Sequence, residues 1–275
     1  MEEKKTVNNA PKVLVTGASS GIGKAAAELF ARCGYEVYGV SRSVKRENRR
    51  YTKGGILRFL PMDVTDECSV KETVKKIGPV DVVILAAGFG IAGTCEEIPI
   101  ELAKRQMEVN YFGVMRVVSA VLPPMRERMY GRIIIIGSLG GRVAIPMQSH
   151  YSSSKYALEA YSDALRLELS PYDIDVTIIE PGDVKSGFSD SREVYIPEGS
   201  PYSDMARHAI GVMDHDERSG GSPESIAKTI LRVARSDKPR ARVVTGIRYK
   251  FLSFLLKILP DRCREMLVKK IYLTK

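Results

Sequence analysis

Residues 12–33 read KVLVTGASSGIGKAAAELFARC, and this stretch decides the fold. Residues 12–16 are a short run typical of a β-strand, and residues 24–33 have the composition of a helix that Gly34 closes. The turn between them is rich in glycine. Strand, turn and helix start together form a cradle for a phosphate group, because backbone N–H groups and the positive helix end face an anion. A glycine-rich turn alone is a weak signal, but this position makes it much stronger.

Strands and helices alternate along the rest of the chain. Strands are predicted at residues 36–41, 57–60, 80–85, 132–136, 175–179 and 242–245, and helices at 69–77, 99–122, 151–169 and 222 to about 235. This alternation predicts an α/β fold with a single doubly wound parallel sheet (a Rossmann fold) and helices on both faces. Residues 183–220 are polar and receive no assignment. Because no linker or repeat interrupts the chain, residues 1–275 are predicted to be one domain, with a core at about 11–246 and a tail at 247–275.

Composition narrows the class of protein. The chain has 275 residues, of which 44% are hydrophobic and 27% charged, as in a soluble globular domain. Four scattered cysteines, Cys33, Cys68, Cys95 and Cys263, argue against a metal site or a disulfide framework and favour a reducing, cytoplasmic location. The N-terminus lacks the apolar run of a signal peptide. The net charge of +9 is dispersed and accompanies no nucleic-acid module, so no nucleic-acid partner is expected.

A tyrosine and a lysine share one face of the predicted helix 151–169. Tyr151 and Lys155 are four residues apart and therefore one turn apart. A phenol near an ammonium group is expected to have a lowered pKa, which suits a general acid/base. Ser138 follows the predicted strand 132–136 and could hydrogen-bond the same reacting oxygen. The pattern alone is common and is mostly not catalytic.

The end of the second predicted strand bears on the choice of nucleotide. In a dinucleotide-binding fold, an acidic residue here binds the ribose hydroxyl of NAD, whereas arginine accommodates the 2′-phosphate of NADP. This chain has Ser41 and Arg42, with Lys45 and Arg46 nearby and no carboxylate before Glu47. The pattern favours NADP, with NADPH preferred over NADH; the alternative is a solvated basic loop.

Taken together, the motifs resemble the short-chain dehydrogenase/reductase family over about residues 11–246. The residues that carry the resemblance are Thr16 to Gly23, Asp63, Ala87, Gly88, Asn110, Ser138, Tyr151, Lys155, Pro181 and Gly182. The block from Gly140 to Leu169 is most similar to the hydroxysteroid and retinol dehydrogenase branch. Two positions depart from the family pattern: Leu85-Ala86 replaces the usual Asn-Asn before Ala87-Gly88, and Ser186 stands where threonine is common.

The resemblance implies an NAD(P)-dependent oxidoreductase acting on CH–OH and C=O groups. It implies that Tyr151 is the acid/base, that Ser138 steadies the substrate oxygen, and that Lys155 holds the nicotinamide ribose and lowers the tyrosine pKa. The implied catalytic set is Asn110, Ser138, Tyr151 and Lys155, with Asn110 supporting a proton-relay water. The implied cofactor-binding set is Gly17, Ser19, Ser20, Gly21, Ile22, Gly23, Ser41, Arg42, Asp63, Val64, Ala87, Gly88, Asn110, Tyr151, Lys155, Pro181, Gly182, Val184 and Ser186. Asp63 either caps a turn or meets the adenine amino group.

The tail is apolar and basic. Residues 251–259 are apolar nearly all round, Pro260-Asp261 interrupts them, and residues 262–273 are amphipathic. From Gly246 onward the chain has eight Lys/Arg and two Asp/Glu, a net charge of +6. The apolar run is too short to span a bilayer, which needs ~20 residues. Residues 250–273 are predicted to contact a membrane surface, cover the substrate pocket or form a dimer contact.

The main hypothesis is an NADP(H)-dependent oxidoreductase that interconverts a secondary alcohol and a ketone on a bulky apolar, steroid-, retinoid- or lipid-like molecule. A homo-oligomer is expected. The apolar residues predicted to line the pocket are Phe188, Tyr195, Ile196, Tyr202, Met205 and Met213. The alternative is a catalytically idle NADP-binding sensor or scaffold. A sugar-nucleotide epimerase or dehydratase is disfavoured by the form of the glycine turn and the lack of a large C-terminal substrate domain.

Overall fold

The computed structural model describes residues 10–45, 47–188 and 191–274. The strands are β1 (Lys12–Thr16), β2 (Glu36–Ser41), β3 (Glu47–Arg50), β4 (Ile56–Pro61), β5 (Val82–Leu85), β6 (Ile91–Ala92), β7 (Gly131–Ile136), β8 (Ile174–Glu180), β9 (Glu193–Val194) and β10 (Arg242–Val244). The helices are α1 (Gly21–Arg32), α2 (Glu67–Ile77), α3 (Ile100–Met107), α4 (Gly113–Glu127), α5 (Ser149–Leu169), α6 (Ser203–Ser219), α7 (Pro223–Ala234), α8 (Ile247–Ile258) and α9 (Asp261–Tyr272).

The described strands form an eight-stranded sheet in the order β10-β8-β7-β5-β1-β2-β4-β3, and β6 pairs with β9 separately. The chain runs outward from β1 through β2 to β4 on one side and from β5 to β10 on the other. The carboxyl ends of β1 and β5 therefore meet where the strand order reverses, which is where open α/β sheets bind their ligands. The glycine turn and Ala87-Gly88 follow these two strands.

The predicted parallel sheet is present, and its edge carries one antiparallel strand. β3 pairs antiparallel with β4 through a tight turn, in which the amide of Tyr51 donates to the carbonyl of Gly55 at 2.9 Å. Such a short connection can join only antiparallel strands. The four residues of β3, Glu-Asn-Arg-Arg, are all exposed. Charged residues are typical of a sheet edge and carry no apolar strand signal, which is why the sequence did not reveal this strand.

Apolar layers on both faces of the sheet confirm the doubly wound fold. On one face α1 packs against α7, with Phe30 and Ile230 among the buried residues. On the other face α2, α4 and α5 contribute Val74, Val118 and Leu165 to a second core. The continuous apolar run of β7 lies between the two layers and is buried, as a strand covered on both faces should be.

Two helical segments differ from the prediction. The helix predicted at 99–122 continues to Glu127 and contains a π-helical turn, Glu108–Phe112, with Asn110 at its centre. The unassigned stretch 183–220 contains α6, whose buried residues have helical spacing. That spacing was present in the sequence, but small side chains and polar neighbours obscured it. These buried residues are Ala206, Ala209, Ile210 and Met213.

The tail forms two helices that meet at Pro260, where the sequence predicted a break. The buried residues of α8 are Ser253 and Leu256, and α9 packs against α6. None of the described helices is both long and apolar enough to cross a membrane.

Candidate active site

The structure brings Ser138, Tyr151 and Lys155 together. Tyr151 lies in the first turn of α5 and Lys155 one turn later. Ser138 follows β7, and its Oγ accepts a hydrogen bond from the amide of Gly140 at 3.0 Å. A Cβ on Gly140 would lie 3.3 Å from Cε1 of Tyr151 and 3.4 Å from Oγ of Ser138. Gly140 thus lies between the two hydroxyl-bearing residues, which share a hydrogen bond.

The electrostatics of this group differ from the expectation. Burial raises the pKa of Tyr151 to about 12, and the hydrogen bond from Ser138 opposes this shift. The expected lowering of the tyrosine pKa by Lys155 is therefore wrong for this structure. Lys155 Nζ donates to the carbonyl oxygen of Ile136 at 2.9 Å, and burial lowers the pKa of the lysine itself to about 8. At neutral pH the phenol is protonated, so it can donate a proton.

Asn110 is buried and ties two elements together. Its Oδ1 accepts from the amide of Phe89, and its Nδ2 donates to the Phe89 carbonyl and to Ser154 Oγ, all within 3.1 Å. The loop after β5 is thereby fixed to α5, the helix of the catalytic candidates. A Cβ on Gly88 would lie 3.1 Å from Asn110 Oδ1 and 4.0 Å from Lys155 Nζ. Asn110 and Lys155 therefore both border Gly88, and π-helical turns recur at functional sites.

The glycine turn has the geometry of a phosphate cradle. Gly17 and Gly21 have φ angles of +68° and +52°, which favour glycine. A Cβ on Gly23 would come within 2.3 Å of the Gly17 carbonyl oxygen, so only glycine lets α1 start this close to β1. Ser20 occupies the N-cap of α1 without a side-chain hydrogen bond among the described residues. The first amides of α1 are thus not capped by that side chain, and they fit a pyrophosphate. The neighbouring Ser19 is exposed, and Ile22 is half-buried.

The end of β2 presents two groups suited to a phosphate. Within the described residues, Ser41 Oγ is buried and has no hydrogen-bond partner. The next residue, Arg42, is exposed and forms no ion pair in the described part of the chain. Buried hydroxyls normally find partners, and an arginine follows this one directly in the chain, so the pair of residues fits an anionic ligand. Arg46, another basic residue of the group predicted at this position, lies outside the described residues.

Asp63 caps a turn, one of its two predicted roles. Its Oδ1 accepts from the amide and the hydroxyl of Thr65, at 2.9 and 2.8 Å. Val64 is buried against Gly113, where a Cβ would lie 2.9 Å from Val64 Cγ2.

The departure at Leu85-Ala86 leaves the strands connected. Thr16 Oγ1 accepts hydrogen bonds from the amides of Ala86 and Ala87, at 3.0 and 3.1 Å. This hydroxyl links the ends of β1 and β5 at the switch point.

The segment after β8 closes over the glycine turn. The carbonyl of Pro181 accepts from the amide of Leu139, next to Ser138, at 3.1 Å. Val184 is buried and pairs with Gly221 across an isolated bridge. Ser186 reaches the glycine turn: a Cβ on Gly21 would lie 3.3 Å from its carbonyl oxygen.

Three features of the site were not predicted. Tyr249 of α8 lies against Gly182 and donates to Asp183 at 2.6 Å, so the tail reaches this segment. Arg192 is buried in the segment between β8 and α6, and it forms ion pairs with Asp214 and Glu217 of α6. Neither residue stands in a motif, and no signal in the sequence pairs it with its partner.

The third feature is a buried acid pair behind α5. Glu159 lies one turn after Lys155 and faces Glu180, the last residue of β8. Among the described residues, Glu159 Oε1 and Glu180 Oε2 are buried without a hydrogen-bond partner. Arg242 pairs with Glu159 at 2.8 Å, and Arg142 pairs with Glu180 at 2.5 Å. Burial and the second carboxyl group raise the pKa of Glu159 to about 7. This cluster connects α5, β8, β10 and the segment after Ser138 to one another.

Of the apolar residues predicted to line a substrate pocket, Phe188 lies beside the catalytic candidates. The Tyr151 and Phe188 rings are 5.6 Å apart between centroids. Ile196 and Met213 pack in a small apolar cluster with Ile145 and Met147. Ile145 lies near Gly140, because a Cβ on that glycine would be 3.4 Å from Ile145 Cδ1. Tyr195 is half-buried, Tyr202 donates to Glu96, and Met205 is exposed.

Comparisons with known proteins identify the family of this chain. The family model for short-chain dehydrogenases matches residues 11–194. A 3-ketodihydrosphingosine reductase from Bacteroides thetaiotaomicron is 37% identical over 267 residues, covering 94% of this chain and 97% of that protein. A dehydrogenase/reductase SDR family member 7B from Xenopus laevis is 33% identical, covering 90% of this chain and 78% of that protein. The crystal structure of a short-chain dehydrogenase from Streptomyces avermitilis superposes with a TM-score of 0.77 at 29% identity, covering 98% of this chain and 97% of that one.

Fold and site together define an oxidoreductase with a nicotinamide dinucleotide cofactor. The chain belongs to the short-chain dehydrogenase/reductase family, which confirms the resemblance seen in the sequence.

Proposed function

We propose that this protein is an NADP(H)-dependent oxidoreductase that interconverts a ketone and a secondary alcohol on a bulky apolar substrate. The observation that carries the proposal is the convergence of Ser138, Tyr151 and Lys155 around Gly140. Bound NADPH would supply the hydride. Tyr151 would donate its phenolic proton to the carbonyl oxygen as the hydride arrives, and Ser138 would hold that oxygen by a hydrogen bond. Lys155 and Asn110 would orient the nucleotide and the proton path.

The preference for NADP is supported by the end of β2. Ser41 offers a buried hydroxyl without a partner among the described residues, and Arg42 offers an exposed guanidinium. A 2′-phosphate would satisfy both groups, whereas the 2′-hydroxyl of NAD lacks the charge.

An apolar chain on the substrate is supported by the surroundings of Tyr151. Phe188 packs against its ring, and the cluster of Ile145, Met147 and Met213 lies close by. Groups of this kind bind hydrocarbon by removing apolar surface from water.

An amino group on the substrate is supported by the charges near the tyrosine. The carboxylates of Glu217 and Asp183 contribute to the raised pKa of Tyr151, and Arg192 opposes them. The negative charge of Asp216 likewise raises the pKa of Asp183. Arg192 pairs with Glu217, so Asp183 and Asp216 supply the remaining negative field, which would stabilise a cation beside the reacting carbonyl. One relative carries the name 3-ketodihydrosphingosine reductase, and a long-chain amino ketone has both features.

The test is an NADPH oxidation assay with 3-ketodihydrosphingosine, its N-acetylated form and a simple long-chain ketone. We expect turnover of all three ketones, with the highest kcat/KM for the free amine. Equal kcat/KM for the amine and its uncharged N-acetyl form would reject the role of the negative field. If no compound in a broad panel of ketones and alcohols is turned over, the result favours the alternative, an idle NADP-binding sensor or scaffold.

The single domain, a homo-oligomer and a cytoplasmic location remain predictions.

A further inference from the structure

Four exposed apolar side chains of the tail lie on one face of α8. Ile247, Phe251, Phe254 and Ile258 are 88%, 68%, 60% and 61% exposed. Their spacing of four, three and four residues puts them in a single row along the helix. We call this row the α8 stripe.

The stripe is held facing outward by contacts on the rest of the helix. Ser253 and Leu256 are buried on the opposite face. Tyr249 Oη donates a hydrogen bond to Asp183. The tyrosine ring packs against Gly182, where any side chain would clash with it. The helix is therefore anchored to the body of the protein through Tyr249, Ser253 and Leu256, and the stripe is a preformed apolar surface.

Basic residues border the stripe. Arg248, Lys250 and Lys257 are exposed on α8, and the chain from Gly246 onward has a net charge of +6. A second copy placed on this face would bring like charges together, which is unfavourable. Four side chains are also few for a stable protein interface, which takes about 20 residues on each side. An anionic lipid surface complements both the apolar row and the charge.

We propose that α8 docks the protein on the surface of a membrane containing anionic lipids, with the α8 stripe inserted among the lipids. The geometry divides the tail: α8 faces outward, while Tyr272 and Leu273 at the end of α9 pack against the apolar cluster of Met147 and Met213. The docking surface and the wall of the proposed substrate pocket thus belong to one helical hairpin. The docking is independent of the catalytic proposal.

The experiment is sedimentation of the full chain with vesicles of phosphatidylcholine alone or mixed with equal phosphatidylglycerol. We expect binding to the mixed vesicles, with weakening as the salt concentration rises from about 0.1 to 1 M. The double variant Phe251→Ser/Phe254→Ser should bind at least tenfold more weakly, since two large apolar groups no longer enter the lipid. Lys250→Gln/Lys257→Gln should lose several-fold on mixed vesicles only.

Leu167→Ser is the matched control, because Leu167 is 75% exposed on α5. This variant should bind as the unaltered protein does. Thermal unfolding of every variant, followed by circular dichroism, checks that loss of binding is not loss of folding.

Absence of binding by the unaltered protein, or unchanged binding by the double phenylalanine variant, would overturn the proposal. A second contradicting outcome combines two results: the unaltered protein does not bind vesicles, and the double variant has a different oligomeric state in light scattering. The stripe would then be an interface between copies. None of these readouts depends on catalysis, so failure here leaves the proposed reaction untouched.

Discussion

Lys155 Nζ lies 5.7 Å from the centre of the Tyr151 ring and donates its hydrogen bond to the Ile136 carbonyl. The lysine therefore sits beside the phenol but is fastened to the end of β7. Because burial dominates, the phenol keeps its proton at neutral pH. This arrangement suits donation of a proton to a substrate oxygen.

Replacing Tyr151 by phenylalanine removes the proton donor and keeps the ring. We expect kcat for ketone reduction to fall by ~100-fold or more, while NADPH affinity, measured by fluorescence titration, changes little. Near-normal turnover would contradict the assignment of the acid/base.

The pH dependence of the reaction should report Lys155. Its pKa is lowered to about 8 by burial, so the ammonium charge is present below that pH and is lost above it. We expect kcat/KM for ketone reduction to decline as the pH rises through about 8. Lys155→Arg should keep its residual activity across that range because a guanidinium stays charged. The same alkaline decline in the arginine variant would assign the titration to another group.

Cofactor preference should depend on Ser41 and Arg42. The unaltered protein is expected to bind NADPH more tightly than NADH. Arg42→Asp should lower the ratio of NADPH affinity to NADH affinity at least tenfold, which corresponds to about one charge-assisted hydrogen bond. Ser41→Ala should lose less. Arg262→Asp makes the same charge change on α9 and should leave the ratio unchanged. Equal affinity of the unaltered protein for both cofactors would reject the prediction.

The contact between Gly182 and Tyr249 can be tested by a double-mutant cycle. A Cβ on Gly182 would come within 2.3 Å of the tyrosine ring, so Gly182→Ala should lower the free energy of unfolding by ~1–3 kcal/mol. In a Tyr249→Ala background the same change should cost much less. Gly211→Ala is the control, since a Cβ on this α6 glycine meets nothing within 4 Å and alanine favours a helix. Additive effects in urea unfolding would show that the two residues do not interact.

The buried acid pair should make stability depend on pH. The pKa of Glu159 is raised from its ordinary value of 4.5 to about 7, so the folded protein binds the proton more tightly than the unfolded chain. This contribution is present at low pH and is lost as the pH rises from about 4.5 through 7. Glu159→Gln resembles the protonated acid and should be more stable than the unaltered protein at pH 8.5, by ~1 kcal/mol or more. At pH 4.5 the two proteins should be alike.

Asp163→Asn is the control for that measurement, because Asp163 pairs with the same Arg242 but is exposed. It should not reproduce the gain. A Glu159→Gln variant that is less stable at every pH would mean that the carboxylate is needed in its ionised form.

Local patterns were sufficient for the parts of the molecule that are local in the chain. The strand, turn and helix of residues 12–33 were evident because glycine positions and apolar spacing act over a few residues. Tyr151 and Lys155 could be paired because helix geometry alone puts them on one face. The helical break at Pro260 was predicted because the proline ring cannot continue a helix.

Only the tertiary structure decided what depends on distant segments. The antiparallel β3 has a charged sequence, and its partner β4 determines that it is a strand at all. The pKa of Tyr151 was expected to be lowered by its neighbour Lys155 on the helix, but burial by the surrounding elements raises it. The pairing of Glu159 with Glu180 and of Tyr249 with Gly182 joins residues far apart in the chain. Desolvation and close packing are properties of three-dimensional neighbourhoods, whereas a sequence specifies directly only what lies within a turn or two of each residue.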